Sequence, residues 1–332
     1  MHEVLKVLAD RARAGSVPRK RGDGHWAVLS IEGGGMRGTI TAGMAYGLHE
    51  LGLTQAFDAV YGTSAGAING AWLLSSRPAG LQGWTDPKFA QALINWRALL
   101  RGRPVVDVQT LVEEVYVSHF PMDFTSVLKS PAEYHPLATD AATGAATDLW
   151  PLIADLPDFR LALRASAAMP FLAGKPVMLH GRRFYDGGVA ESIPFRTPLA
   201  QGASHILVLR SKQPGGMVRD GTPGGFAGVD ARRMPPPPRS VRLLTRTALR
   251  KESPRLRETL LNRSVAAARD AARITELESA GRAFAVFAGR DVPPVSRLTT
   301  DGAMLAAAFE SGRQAIHRTF TGTTDSCALL LR

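Results

Sequence analysis

A largely parallel sheet with helices on both faces is the fold class the sequence predicts, and three observations predict it. Apolar runs of strand length alternate with helix-compatible stretches from near the start of the chain. The first two runs each end in a glycine-rich turn that leads straight into a helical pattern. A later run, His205-Ile206-Leu207-Val208-Leu209, is apolar throughout after its first residue, as a strand buried on both faces must be.

Taken in order, residues 1–25 read as a short helix and a basic linker, closing with Pro18-Arg19-Lys20-Arg21-Gly22-Asp23-Gly24. Residues 26–332 read as the main domain. Ala27-Val28-Leu29-Ser30-Ile31 is the first strand, and a helix is expected from Thr39 to Leu51. The run Phe57, Ala59, Val60, Tyr61 is the second strand, followed by a helix to about Ser76. Trp84 to Met122 is mostly helical in pattern, broken at Gly102-Arg103-Pro104. A strand near Tyr134–Thr139, a turn at Thr143-Gly144 and a helix around Ala154–Ala168 come next. Arg183-Phe184-Tyr185 leads into Asp186-Gly187-Gly188. After the 205–209 strand, residues 211–240 are dense in Gly and Pro and read as a long mobile loop. The C-terminal part is helical to about Ala280 and again from Gly302 to His317, with a strand at Ala283–Ala288 between.

The chain has 332 residues, 45% of them hydrophobic, enough for one large α/β domain or two smaller ones. Its one cysteine, Cys327, excludes an intrachain disulfide. No apolar run is long enough for a membrane span, and the first residues lack the apolar stretch of a signal peptide, so a cytoplasmic protein is expected. The formal charge of +11 suits nucleic acid, an anionic membrane surface or acidic substrates. No zinc-knuckle, RNP-type or helix-turn-helix signature accompanies it, and nucleic acid is not expected as a partner.

The chemistry starts at Ser64, in Gly62-Thr63-Ser64-Ala65-Gly66 between a strand and a helix. That context is what a nucleophile elbow needs, since flanking glycines permit the strained turn that lifts a hydroxyl out of the backbone. The pattern alone is weak, so its partners decide. Gly33-Gly34-Gly35-Met36-Arg37-Gly38, after the first strand, can turn backbone N–H groups inward to cradle an anion. A P-loop reading fails because no lysine follows Gly38. A dinucleotide fingerprint fits Gly33, Gly35 and Gly38, but Asp58 stands at the start of the second strand and not at its end. The third use is an oxyanion hole serving Ser64, and adjacent parallel strands would bring both glycine turns to one edge of the sheet.

A base is also needed. The downstream histidines are His119, His135, His180, His205 and His317, and none has a loop context that recommends it. Asp186 follows an apolar strand end and precedes two glycines that let another group approach closely. A carboxylate serves a serine directly when burial raises its proton affinity.

Gly-Gly-Gly-Met-Arg-Gly, Gly-Thr-Ser-Ala-Gly and Asp-Gly-Gly, in this order, resemble the three signatures of patatin-like phospholipases. The resemblance runs from about Trp26 to Arg210 and includes residues 138–144 and 165–170. It implies a three-layer α/β/α sandwich with a central, mostly parallel sheet, and hydrolysis of lipid acyl esters by a Ser-Asp dyad. It makes Ser64 the nucleophile and Asp186 the base. The N–H groups of Gly34, Gly35 and Met36 become the oxyanion donors beside Arg37, and Gly33, Gly38, Gly62, Gly66, Gly187 and Gly188 complete the motifs. Glu32 stands where the family usually has Asp, and Ala173 where an aromatic residue is common. The expected partner is a phospholipid or related ester, with no metal and no cofactor. An acyltransferase would use the same acyl-enzyme with a different acceptor, and a nucleotide-binding α/β protein is the non-hydrolytic alternative.

Arg242, Arg246 and Arg250 recur every four residues, with Val241, Leu244 and Ala248 on another face. Two roles are open to this helix: a surface that meets anionic headgroups, or a solvated face packed onto the core by its apolar side.

Overall fold

Ala27–Ile31 (β1) and Ala59–Thr63 (β2) pair in parallel, Val28 beside Ala59 through Ile31 beside Gly62, in a computed structural model of the chain. It describes residues 1–95, 98, 104–213 and 236–322. Most of the loop expected at 211–240, Gly102-Arg103 of the expected helix break, and Cys327 lie outside the described residues.

The remaining strands are Glu133–Asp140 (β3), Ala146–Asp148 (β4), Val177–Leu179 (β5), Arg182–Asp186 (β6), His205–Leu209 (β7) and Ala283–Val286 (β8). They form one sheet in the order β5-β6-β3-β2-β1-β7-β8, with β4 also on β3. The five strands from β3 to β8 run parallel, while β4 and β6 lie antiparallel to β3, and β5 to β6. The centre is therefore the expected parallel sheet, and one edge is antiparallel.

The helices in the first half are α1 (Glu3–Arg13), α2 (Gly38–Glu50), α3 (Ala65–Leu74), α4 (Pro87–Leu93), α5 (Val108–Thr110, continued by a wider turn over Leu111–His119) and α6 (Phe124–Leu128). Those that follow are α7 (Leu156–Ser166), α8 (Arg196–Ala200), α9 (Arg239–Ala248), α10 (Pro254–Ser279) and α11 (Gly302–Thr321). None among the described residues is long and apolar enough to cross a membrane.

Every residue of β1 is buried, but the two-residue period of a strand divides them between two cores. Leu29 and Ile31 face a large core with side chains of α1, α2, α3 and α11. Val28 faces a second with Phe195 and with Ile274 and Leu277 of α10. Helices thus cover both faces, which gives the three-layer α/β/α sandwich.

At the N-terminal edge of the parallel strands, α1 buries Val4, Leu5 and Leu8 in the large core. Its Arg11 donates to Asp23 Oδ2 at 2.6 Å and to Asp58 Oδ2 at 2.9 Å. Asp58 also accepts from Arg21 Nε at 2.5 Å and from the Ala27 N–H at 2.8 Å. The carboxylate that stood at the wrong end of its strand for a ribose is an anchor for the N-terminal segment.

Helix α9 packs onto the core, but not by the apolar face expected of it. It turns Thr245 inward, and Leu249 just after it, while Leu243 and Leu244 stay 64% and 43% exposed. The face that packs is therefore not the one marked by Val241, Leu244 and Ala248.

Candidate active site

The parallel register brings the two glycine turns together. Ile31 lies beside Gly62, so the residues that follow each strand leave the sheet side by side. Thr63 lies beside Leu137 of β3, and Ala138, the next residue, pairs with Asp186 of β6. Ser64 and Asp186 thus reach the same level at the C-terminal edge, on either side of β3.

Ser64 has φ 57° and ψ −125°, the left-handed region that costs a non-glycine residue about 1–3 kcal/mol. The surroundings hold it there. The Ser64 N–H donates to Ser166 Oγ at 3.0 Å, and that hydroxyl donates to the Leu137 carbonyl at 2.7 Å. Gly66 lies so close to β1 that a Cβ there would collide with the Ile31 carbonyl, and one at Gly62 would meet Ala67 Cα at 2.5 Å. The hydroxyl-bearing residue stays 9% exposed at the floor of a cavity.

Asp186 is 1% exposed. Its N–H donates to the Ala168 carbonyl at 3.0 Å, and its carbonyl accepts from Thr139 Oγ1 at 2.9 Å. Oδ1 accepts the Gly188 N–H at 2.7 Å, where Gly187 opens a tight turn. Oδ2 is buried with no hydrogen-bond partner of standard geometry among the described residues. Burial pushes the carboxyl up to about 6, against the Ser64 hydroxyl, the Gly188 N–H and the more distant Arg297 and Arg263. The Ser64 hydroxyl is therefore near enough to favour the charged form, although it completes no full hydrogen bond to Oδ2.

The glycine loop lines the same cavity. The Gly33 N–H donates to the Ser192 carbonyl at 3.4 Å, and the Gly33 carbonyl accepts from Ser211 Oγ at 2.9 Å. The N–H groups of Gly34 and Gly35 meet no acceptor among the described residues. Met36 corrects the expectation: its N–H donates to the Arg297 carbonyl at 3.0 Å, so it is not available to a ligand here. Gly35 has φ 58°, the handedness glycine adopts without strain. Arg37 is buried beside the cavity, and Gly38 starts α2.

Glu32 holds the loop to the neighbouring strand. It accepts from Arg210 Nε at 3.0 Å and from the Ser211 N–H at 2.9 Å. Burial raises its carboxyl, but Arg210 and Lys212 outweigh burial and hold it below the usual carboxylate range. Lys212, 3.9 Å from Glu32, is brought down to about 7 by its own burial.

No histidine lines the cavity among the described residues. His135 binds Asp148 at 2.7 Å, His180 binds Asp158 at 2.9 Å, and His317 binds Glu50 at 2.9 Å. His205 lies beside Ala27 at the opposite edge of the sheet.

The cavity and the open solvent at its mouth together span about 1120 Å³. Ile68, Leu93, Ile94, Val106, Leu111 and Leu172 give it an apolar wall. Ala173 packs against the large core, outside that wall. Ser166 and Thr139 are the positioning residues that sequence reasoning missed. Both fall within segments already singled out, 165–170 and 138–144, and a hydroxyl among alanines was the available signal.

Comparison with known proteins bears on the family of the chain. The model of the family described as patatin-like phospholipase matches residues 29–199, a span that holds the last three residues of β1, the glycine loop, Ser64 and Asp186. Among curated proteins the chain is similar to the uncharacterized protein YjjU of Escherichia coli K12, 30% identical over 193 residues. That alignment covers 55% of this chain and 51% of YjjU, so the chain spans about half the length of that relative.

Proposed function

The chain belongs to the patatin-like phospholipase family, which supports lipid acyl hydrolysis in general, and from that premise we propose a Ser64–Asp186 dyad that cleaves acyl esters of phospholipids or related lipids. One observation carries the reading. A buried carboxylate with an unsatisfied oxygen and a pKa lifted to about 6 sits beside a serine held in a strained elbow. Such an acid is still mostly ionised at neutral pH and takes a proton more readily than an exposed aspartate.

In this reaction Ser64 Oγ attacks the ester carbonyl while Asp186 takes its proton. The carbonyl oxygen becomes an oxyanion facing the Gly34 and Gly35 N–H groups. Collapse breaks the bond to the alcohol, which leaves with the proton held by Asp186. Water then attacks the acyl-Ser64, again giving its proton to Asp186, and the second collapse releases the fatty acid and returns the proton to Ser64. The apolar wall receives the acyl chain. Hydrolysis of a lipid-class panel by the purified chain tests the reading. Fatty acid release lost in Ser64→Ala supports it, and release that survives this change sinks it.

The exposed leucines of α9 favour a membrane contact as well. Leu243 and Leu244 stand beside Arg242 and Arg246, the arrangement of a helix that settles into an anionic surface. Flotation with phosphatidylglycerol vesicles should fall several-fold in a Leu243→Ser, Leu244→Ser variant. Unchanged flotation would remove this role.

A further inference from the structure

One peptide group of the glycine loop has its orientation set from outside the loop. The Gly33 carbonyl accepts from Ser211 Oγ at 2.9 Å. That carbonyl and the Gly34 N–H belong to one planar trans peptide, so they point in opposite directions. Gly33 and Gly34 line the cavity, whereas Ser211 is 2% exposed and lies outside its lining. A carbonyl drawn toward Ser211 therefore turns the Gly34 N–H toward the cavity. The peptide begins beside the nucleophile, since a Cβ on Gly33 would lie 3.0 Å from Ser64 Cβ.

The loop does not enforce this orientation by itself. Flipping a peptide plane changes only the torsions on either side of it, and glycine at both positions leaves either orientation sterically open. The Gly33 N–H donates to the Ser192 carbonyl, and the Gly34 carbonyl accepts the Arg37 N–H at 3.3 Å. Those contacts hold the peptides before and after. The peptide between them has Ser211 as its hydrogen-bond partner among the described residues.

Ser211 is itself fixed. Its N–H donates to Glu32 Oε2 at 2.9 Å, the oxygen that accepts from Arg210 Nε at 3.0 Å. The Arg210 N–H donates to the Val286 carbonyl at 3.0 Å, which ties this segment to β8. The hydroxyl thus hangs from the sheet, beyond the residues 29–199 that match the family model.

We propose that Ser211 is a positioning residue for the oxyanion hole. Its hydroxyl keeps the Gly33–Gly34 peptide in the orientation that presents the Gly34 N–H to the substrate oxygen. This rests on the hydrolase reading, in which that oxygen becomes negative. A flipped peptide would turn a carbonyl oxygen toward it and withdraw the donor.

The test compares the native chain with Ser211→Ala and Ser211→Thr on soluble p-nitrophenyl butyrate. Ser211→Ala should lower kcat about tenfold with KM nearly unchanged, because the lost orientation matters once the oxyanion forms. Ser211→Thr keeps the hydroxyl and should restore most of the rate. A dodecyl trifluoromethyl ketone supplies a second readout. Ser64 Oγ adds to its carbonyl carbon, the serine proton passes to Asp186, and the carbonyl π pair moves onto the oxygen. Ser211→Ala should weaken the ketone about tenfold and leave the affinity of the matching alcohol in place. In amide NMR spectra of the native chain, the Gly34 proton should move downfield when the ketone adds. Unchanged kcat in folded Ser211→Ala, with native turnover that depends on Ser64, would overturn the proposal and leave the hydrolase reading standing. A threonine variant as slow as the alanine one would do the same. So would a Gly34 proton that the ketone leaves unmoved, a native-chain result that decides even if neither variant folds. A native chain with neither turnover nor adduct removes the hydrolase reading and this assignment with it.

Discussion

At the N-terminal edge of the sheet, Arg11 is buried among two carboxylates and two carbonyl oxygens, and Asp58 answers two arginines and a backbone N–H. At the C-terminal edge, Asp186 is buried with one oxygen satisfied and the other without a full partner. The proton affinities move in opposite directions. Arg11 holds Asp23 well below the usual carboxylate range, while burial lifts Asp186 to about 6. One edge uses charge to hold the chain together, and the other leaves a carboxylate under-satisfied beside a serine.

The difference has a sign in stability. Between about pH 4 and 6 the folded chain holds a proton on Asp186 that the unfolded chain has lost, so this group's contribution falls as pH rises through that window. A shift from 3.8 to about 6 corresponds to about 3 kcal/mol against the fold at higher pH. Asp23 behaves in the opposite way. Its contribution is present above the ordinary carboxylate pKa and is lost as pH falls through the folded value.

The largest expected effect is therefore a split one. Asp186→Asn should lower turnover of a lipid ester by about three to four orders of magnitude. The same change should raise stability in urea by about 1–3 kcal/mol at about pH 8. Lost stability together with retained turnover would erase the contrast between the edges. Next comes Arg11→Met, which takes from Asp23 its arginine and leaves Asp58 with Arg21 alone, and should cost about 3 kcal/mol. Its folded fraction should keep the native kcat/KM, and a large fall in kcat/KM would mean that the two edges are not independent.

Much of the second edge is legible in the chain because it is local. A strand, two glycines and a serine specify an elbow within five residues, and Asp-Gly-Gly specifies a turn within three. What holds these pieces is not local. Ser166 reaches Ser64 from 102 positions away, and Arg210 reaches Glu32 from 178. No spacing rule brings such pairs together before the sheet order is known. Met36 was misjudged for the same reason, because its acceptor Arg297 belongs to a segment near the other end of the chain. The parallel centre was readable from fully apolar strands, whereas short β4 and β5 carried too few residues to declare themselves. In α9 the arginine spacing located a helix but not its inward face, which Thr245 and Leu249 take.

Smaller changes sharpen the contrast within the second edge. Ser166→Ala removes the hydroxyl between the Ser64 N–H and the Leu137 carbonyl, and should cost about 1–2 kcal/mol and about tenfold in kcat. A structural role alone would lower stability and leave kcat in place. Ser64→Gly should gain about 1 kcal/mol by relieving a positive φ, a gain that Ser64→Ala should not share.

The pH dependence of the rate at which a fluorophosphonate labels Ser64 bears most directly on the dyad. In the native chain that rate should rise through about pH 6 to a plateau, since only ionised Asp186 accepts the proton. Asp186→Asn should abolish the rise and most of the labelling, while His205→Gln and His317→Gln should leave the profile where it was. A profile that loses its rise when a histidine is replaced, or native labelling in Asp186→Asn, would contradict the assignment of Asp186 as the base.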